Sequence, residues 1–347
     1  MSKPHKFFVF LLALSLSLSF LPLAMGQEEE AKPLRLATGD QRLKRLERQL
    51  QNLMRSISGE IGVAIKHLES GQELLINGET LFPMASVFKI PVLVEVLAQV
   101  KEGKFSLDDE VNIEKKDQHL GSGILSDLVA PGVKLSIRNL IQLMMMVSDN
   151  SATDILLDKV GVENVNRRLA SFGIKGLTVN RSCQELIMDF LGLDYEKYKD
   201  LPLDALTAEL EKAPERNREA HERAVVEFSR DERDQSTPQA LLFLLEKIFR
   251  QEILDPSSCD LILEIMRHCQ TGESRIKGEL PPGTQVAHKT GTIAGTVNDC
   301  GIIYLPDGQG HVILVVLSKN YIGKTSEMES IIAKIARFVY DFFYFAL

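Results

Sequence analysis

The sequence predicts an α+β fold: an antiparallel sheet of about five strands, built from both chain ends and carrying helices, with an all-helical lobe inserted between. Three observations carry that prediction. Near the N-terminal end, the runs Ile61 to Leu68 and Glu73 to Ile76 flank Ser70-Gly71-Gln72, the pattern of a hairpin. The long middle of the chain, to about Arg267, repeats apolar residues at helical spacing. Three more strand-like runs follow Gly272: Thr284 to Lys289, Asp299 to Leu305 and His311 to Ser318. Strands at both ends with helices between them bring the ends into one sheet.

In chain order, residues 1–26 read as an export signal. Lys3 and Lys6 form a basic start, Phe7 to Leu23 is apolar, and Ala24-Met25-Gly26 fits a small-x-small cleavage site. The apolar run is long enough that a retained membrane anchor is the alternative. Cleavage removes Lys3 and Lys6 and takes the formal charge from −8 to −10. Residues 27–38 are polar and expected to be a disordered spacer, leaving 39–347 as one domain.

That domain opens with Leu43, Leu46, Leu50 and Leu53 at helical spacing, predicting an amphipathic helix from Asp40 to Ile57. After the hairpin, Val87 to Val100 is apolar on nearly every face, so it predicts a helix buried in the middle of the fold. The helical lobe is expected over about 85–268. Within it, 182–230 is rich in Glu, Lys and Arg with leucines at helical spacing, and reads either as a helical insertion or as an extended surface loop. A final amphipathic helix is expected from Ser326 to Phe345.

A chain of 347 residues can bury one large core or two modest ones. A net charge of −8 without a long Lys/Arg cluster argues against nucleic acid as a partner. The four cysteines are few for an exported chain of this length. Cys259 and Cys269 lie in one helical-looking stretch, which would hold them about 15 Å apart. Free buried thiols are therefore expected. No ligand spacing of the His-x-His, His-Glu-x-x-His or Cys-x-x-Cys kind occurs, so neither a metal nor a cofactor is expected.

Three short motifs carry the chemistry: Ser86-Val87-Phe88-Lys89, Ser148-Asp149-Asn150 and Lys289-Thr290-Gly291. Ser274-Arg275-Ile276-Lys277 shows that Ser-x-x-Lys also arises by accident. Ser86 differs because it stands where a loop becomes a buried helix, and N–H groups there favour a developing anion. Lys89, at i+3, shares a helix face with Ser86, and a desolvated lysine can act as the base that a serine nucleophile needs. Ser148-Asp149-Asn150 also reads as a helix stop and N-cap. As a functional unit, Ser148 relays a proton to a leaving nitrogen, Asn150 holds Lys89 and a substrate amide, and Asp149 braces the loop. Lys289 attracts a substrate carboxylate, Thr290 adds a hydroxyl and Gly291 permits close approach to the backbone. The N–H groups of Ser86 and Thr292 are candidates for an oxyanion hole.

Together these motifs resemble the class A β-lactamase family and its penicillin-recognising serine relatives. The resemblance runs from about Ser58 to the C-terminus, interrupted over 182–230. Ser148 to Asp154 is similar to the family's SDN segment entering a helix. Thr271-Gly272 with Arg275-Ile276 is similar to the segment before the KTG strand, which makes Arg275 a candidate second cation for the substrate carboxylate. Gly295-Thr296-Val297-Asn298-Asp299 resembles the turn between the last strands, and Asp231 to Asp234 the end of the omega loop. Class A members activate their deacylating water with an omega-loop glutamate in an E-x-x-L-N setting, which is absent here; Glu185, followed by Leu186, is the nearest candidate. The resemblance implies a β-lactamase/transpeptidase-like fold and an exported, periplasmic or secreted serine hydrolase. That enzyme would be monomeric, free of cofactor, and would act on a small-molecule β-lactam. A D,D-peptidase or esterase on the same fold, or a sensor domain with slow deacylation, are the alternatives.

Overall fold

The computed structural model describes residues 41–128, 132–212 and 218–346. The expected signal (1–26) and spacer (27–38) lie outside the described residues. The first element is α1 (Gln41–Met54), whose Leu46 and Leu50 are buried while Arg42, Lys44, Arg45 and Arg48 face water. The hairpin follows as β1 (Glu60–His67) and β2 (Glu73–Ile76), with Val63 opposite Ile76. Next, β3 (Phe82–Pro83) leads into one 3-10 turn, Ala85–Phe88, and then α2 (Lys89–Lys101). The helix expected from Val87 thus begins two residues later, because its first turn is wound more tightly. Every residue of α2 from Lys89 to Gln99 is buried, as an apolar circumference requires.

The strands β4 (Glu110–Ile113) and β5 (Val133–Ser136) pair antiparallel, so the inserted lobe is not purely helical. Ser136 caps α3 (Ile137–Met146), and Asp149 caps α4 (Asn150–Val160). After α5 (Val162–Ser171), the stretch left open between insertion and loop is helical where described: α6 (Cys183–Leu191), α7 (Tyr195–Tyr198), α8 (Leu203–Glu211) and α9 (Arg218–Arg230). Then β6 (Gln235–Ser236) pairs with β3, and α10 (Pro238–Phe249) and α11 (Pro256–Arg267) close the lobe. Cys269 falls beyond the end of α11, not inside a helix with Cys259, and all four cysteines are free and buried.

The three C-terminal strands are β7 (Val286–Ile293), β8 (Thr296–Tyr304) and β9 (His311–Lys319), followed by α12 (Thr325–Ala346). Both chain ends meet in one antiparallel sheet of order β2-β1-β9-β8-β7. The turn between β7 and β8 is only Ala294-Gly295, both at positive φ, as a two-residue hairpin demands. Thr296 to Asp299, expected in that turn, belong to the strand instead. Alternate side chains of each strand feed two cores. Leu314 and Val316 join α1 and α12 on one face, while Ile313, Val315 and Leu317 join α2, α10 and α11 on the other. Burial on both faces explains why β9 reads as a continuous apolar run rather than an alternating one.

Candidate active site

The nucleophile turn is held by backbone geometry rather than by its own side chains. Ala85 sits at φ 46°, a left-handed conformation that L-residues adopt at a cost of about 1–3 kcal/mol. Asn298 on β8 holds that turn by donating from Nδ2 to the carbonyls of Pro83 (2.9 Å) and Met84 (3.1 Å). On β7, a Cβ at Gly291 would stand 2.5 Å from the Met84 carbonyl and 3.1 Å from the Ser86 nitrogen. Gly291 is therefore required for β7 to lie against the nucleophile turn. The close approach it permits is that of Ser86's own backbone.

Ser148 ends α3's descent at φ 59°, a second strained position. Its hydroxyl stands between two fully buried lysine nitrogens: Lys89 Nζ at 3.2 Å and Lys289 Nζ at 3.0 Å. Lys89 also donates to the Ser148 carbonyl (2.7 Å) and Asn150 Oδ1 (2.8 Å), and Lys289 to the Thr290 carbonyl (2.9 Å). Burial holds Lys89 below the usual lysine range, against the opposing pull of Cys183, Asp154 and Asp149. Burial and the neighbouring Lys89 charge bring Lys289 down to about 8.

Asp149 fills both roles read for it: Oδ1 accepts from Ala152 N as the cap of α4, and Oδ2 accepts from Ile124 and Leu125 N. That second contact fixes the Gly121-Ser122-Gly123 loop beside the site, and Ser122 Oγ donates to the Ser148 carbonyl at 2.7 Å. Ser86, Ser122, Asn150 and Thr292 line one open pocket with Cys183 and Phe190. Leu186, Ile187 and Ile293 supply apolar walls.

Arg275 and Glu185 do not themselves line this pocket. Arg275 lies under β7, where its guanidinium donates to the carbonyls of Gly291 and Asn298, to Thr292 Oγ1 and to Glu329. It straps the strands together and meets the pocket through the Thr292 hydroxyl. Glu185 does not line the pocket. It sits at the third position of α6, where burial and the charge of Asp189 raise its pKa while Arg181 and Arg233 oppose them. Cys183 at the start of α6 lines the pocket in its place, with its thiol pushed up by burial and by Asp154. Among the described residues, the pocket lining holds no carboxylate.

Sequence reasoning missed Ser122, Cys183 and Arg181. A glycine-flanked serine was a visible signal for Ser122. Arg181 had none, because its partners are remote: Nε donates to Asp234 at 2.7 Å and Nη1 to Asp189 and Asp231 at 2.9 and 3.0 Å. Asp234 also receives the Asn180 and Arg181 backbone N–H groups, so one buried pair closes the neck of 182–230.

Residues 45–343 match the model of a beta-lactamase enzyme family. Extended-spectrum beta-lactamase PER-1 of Pseudomonas aeruginosa is 30% identical over 306 residues, covering 86% of this chain and 87% of that protein. Beta-lactamase VEB-1 of the same organism is 28% identical over 310 residues, covering 85% and 89%. The crystal structure of a beta-lactamase from Chitinophaga pinensis superposes with a TM-score of 0.68 at 29% identity, covering 86% of this chain and 98% of that one.

Proposed function

The chain belongs to the β-lactamase enzyme family, and we propose that it is an exported serine β-lactamase that opens the β-lactam ring through an acyl-enzyme at Ser86. The observation that carries this reading is the Ser148 hydroxyl bridging Lys89 and Lys289 beside the pocket that Ser86 lines. Lys89, its pKa lowered by burial, takes the Ser86 Oγ proton as the oxygen attacks the lactam carbonyl. The Ser86 and Thr292 N–H groups receive the developing oxyanion. Ser148 passes a proton from the lysine pair to the departing ring nitrogen, while Lys289 and Thr290 hold the substrate carboxylate. Export rests on Lys3, Lys6 and the apolar run that follows them.

Residues 27–347 are expected to open a chromogenic cephalosporin with many turnovers, and Ser86→Ala to abolish this. Absence of turnover by the intact site would sink the hydrolase reading. The carboxylate-free lining favours a second reading, in which deacylation is slow and the protein behaves as a penicillin-binding D,D-peptidase or a sensor. Intact mass after mixing with a penicillin separates them: a transient adduct supports the hydrolase, a lasting one the second reading.

A further inference from the structure

Behind the substrate side of β7 lies a cluster that the reaction does not use. His288, adjacent to Lys289, is fully buried, and its Nδ1 meets Asp299 on β8 at 2.9 Å. Its other nitrogen, Nε2, is buried without a hydrogen-bond partner of ordinary geometry, and the Cys269 sulfur is the group beside it. Cys269 comes from the irregular loop after α11, flanked by exposed His268 and Gln270. Lys277 Nζ donates to its carbonyl at 3.3 Å. Its sulfur lies 3.3 Å from Thr271 Oγ1, which is itself 2.6 Å from Thr290 Oγ1. An imidazole thus has a carboxylate on one side and a thiol as its other neighbour, and the thiol is linked through Thr271 to the substrate-binding strand.

We propose that Cys269, His288 and Asp299 form a peroxide-sensitive thiol site, and that oxidation of Cys269 impairs substrate binding through Thr271 and Thr290. Burial alone pushes a thiol up, as it does at Cys183, Cys259 and Cys300. At Cys269 the proximity and charge of His288, with Lys289 and Thr271, outweigh burial and bring it down to about 6. Burial disfavours the imidazolium, but Asp299 more than offsets this and keeps His288 protonated up to about 10. Of the four thiols, only Cys269 has this company. In the reaction the thiolate sulfur attacks one peroxide oxygen, an S–O bond forms and the O–O bond breaks. The departing hydroxide takes the His288 Nε2 proton and leaves as water. Sulfur is oxidised to the sulfenic acid and the peroxide is reduced. Thr271 Oγ1 lies 3.3 Å from the sulfur, so an oxygen added there competes with Thr290 for the Thr271 hydroxyl and weakens the Thr271–Thr290 pair.

The test treats the wild-type protein with hydrogen peroxide at pH 7 and quenches it into denaturant containing dimedone. Peptide masses then locate the adduct. Cys269 is expected to react at least about tenfold faster than Cys183, Cys259 and Cys300, and His288→Asn to slow it about tenfold. Equal labelling of the four, no labelling of Cys269, or an unchanged rate in H288N overturns the thiol site. The four-way comparison in the wild type decides even if H288N does not fold. Acylation by a penicillin, read by intact mass, is expected to fall in step with oxidation. Cys269→Ser keeps its own untreated rate after peroxide. An oxidised Cys269 with undiminished acylation overturns the link to Thr290. This acylation readout rests on the proposed function, but the labelling does not, so a protein that no penicillin acylates still reports on the thiol.

Discussion

At the residue scale, the Ser148 hydroxyl is the junction of the site, because both buried lysines reach it and, among the described residues, no other side chain is hydrogen-bonded to both. The two lysines need opposite charge states. Lys89 must be neutral to accept a proton, so acylation falls as acid protonates it. Lys289 must be a cation to hold a carboxylate; its value of about 8 is set in part by a charged Lys89, so with Lys89 neutral the Lys289 charge is lost above pH 8. Single-turnover acylation should therefore give a bell-shaped pH profile whose alkaline limb lies above 8. Arginine stays charged throughout this range, so Lys289→Arg should remove that limb from the profile; a limb unmoved in K289R would assign it to another group. Ser148→Ala leaves both amines without the shared hydroxyl and should slow acylation by about 10²–10⁴ in stopped-flow traces, the usual worth of a positioned proton shuttle. The lysines and serines were legible because their type and order were sufficient. Cys183 and Arg181 were not, because what matters about them is which distant groups they meet. Arg275 was legible only as a cation near a motif; that its bonds reach β7, β8 and α12, among them the pocket residue Thr292, depends on groups remote in sequence.

At the scale of elements, α6 forms one wall of the pocket, and the segment α6–α9 is tied at its neck by Arg181 and Asp234, both almost fully buried. Losing the Asp234 charge leaves Arg181 with Asp189 and Asp231, so the neck loosens without stranding the guanidinium. Asp234→Asn is thus expected to raise amide exchange across 182–230 while the central sheet stays protected; uniform loss of protection would place the pair's role in the whole fold. Gly291→Ala tests the other wall. Its methyl group has nowhere to go except into the Met84 carbonyl and the Ser86 nitrogen. Acylation should drop even though Lys289 and Thr290 are unchanged, and retained activity would show that the nucleophile turn can yield. Neither constraint was visible in the sequence. Periodicity marked the helices of 182–230 but said nothing of what anchors them, and Lys-Thr-Gly identified the glycine without showing which backbone it admits. Strand limits slipped for a related reason: Ala294-Gly295 is a sufficient turn, so Thr296 to Asp299 are free to continue the ladder.

At the scale of the molecule, the sheet divides the interior into two cores with different duties. The core of α2, α10 and α11 supports the nucleophile helix, whereas that of α1 and α12 contains no residue of the pocket lining. Strands from both chain ends signalled this layering in the sequence, because a sheet assembled that way needs helices on each face to cover its apolar runs. The division makes stability and chemistry separable. Leu50 of α1 is fully buried in the second core, so Leu50→Ala should cost about 2–5 kcal/mol, through lost transfer free energy and a residual cavity. Thermal unfolding would report this as a lower midpoint. Below that midpoint the acylation rate per folded molecule should match the wild type, because no strand shift is needed to remove a methyl-rich side chain from the far face. A parallel loss of rate would mean that α1 reaches the site through β1 and β9, and that the two cores act as one.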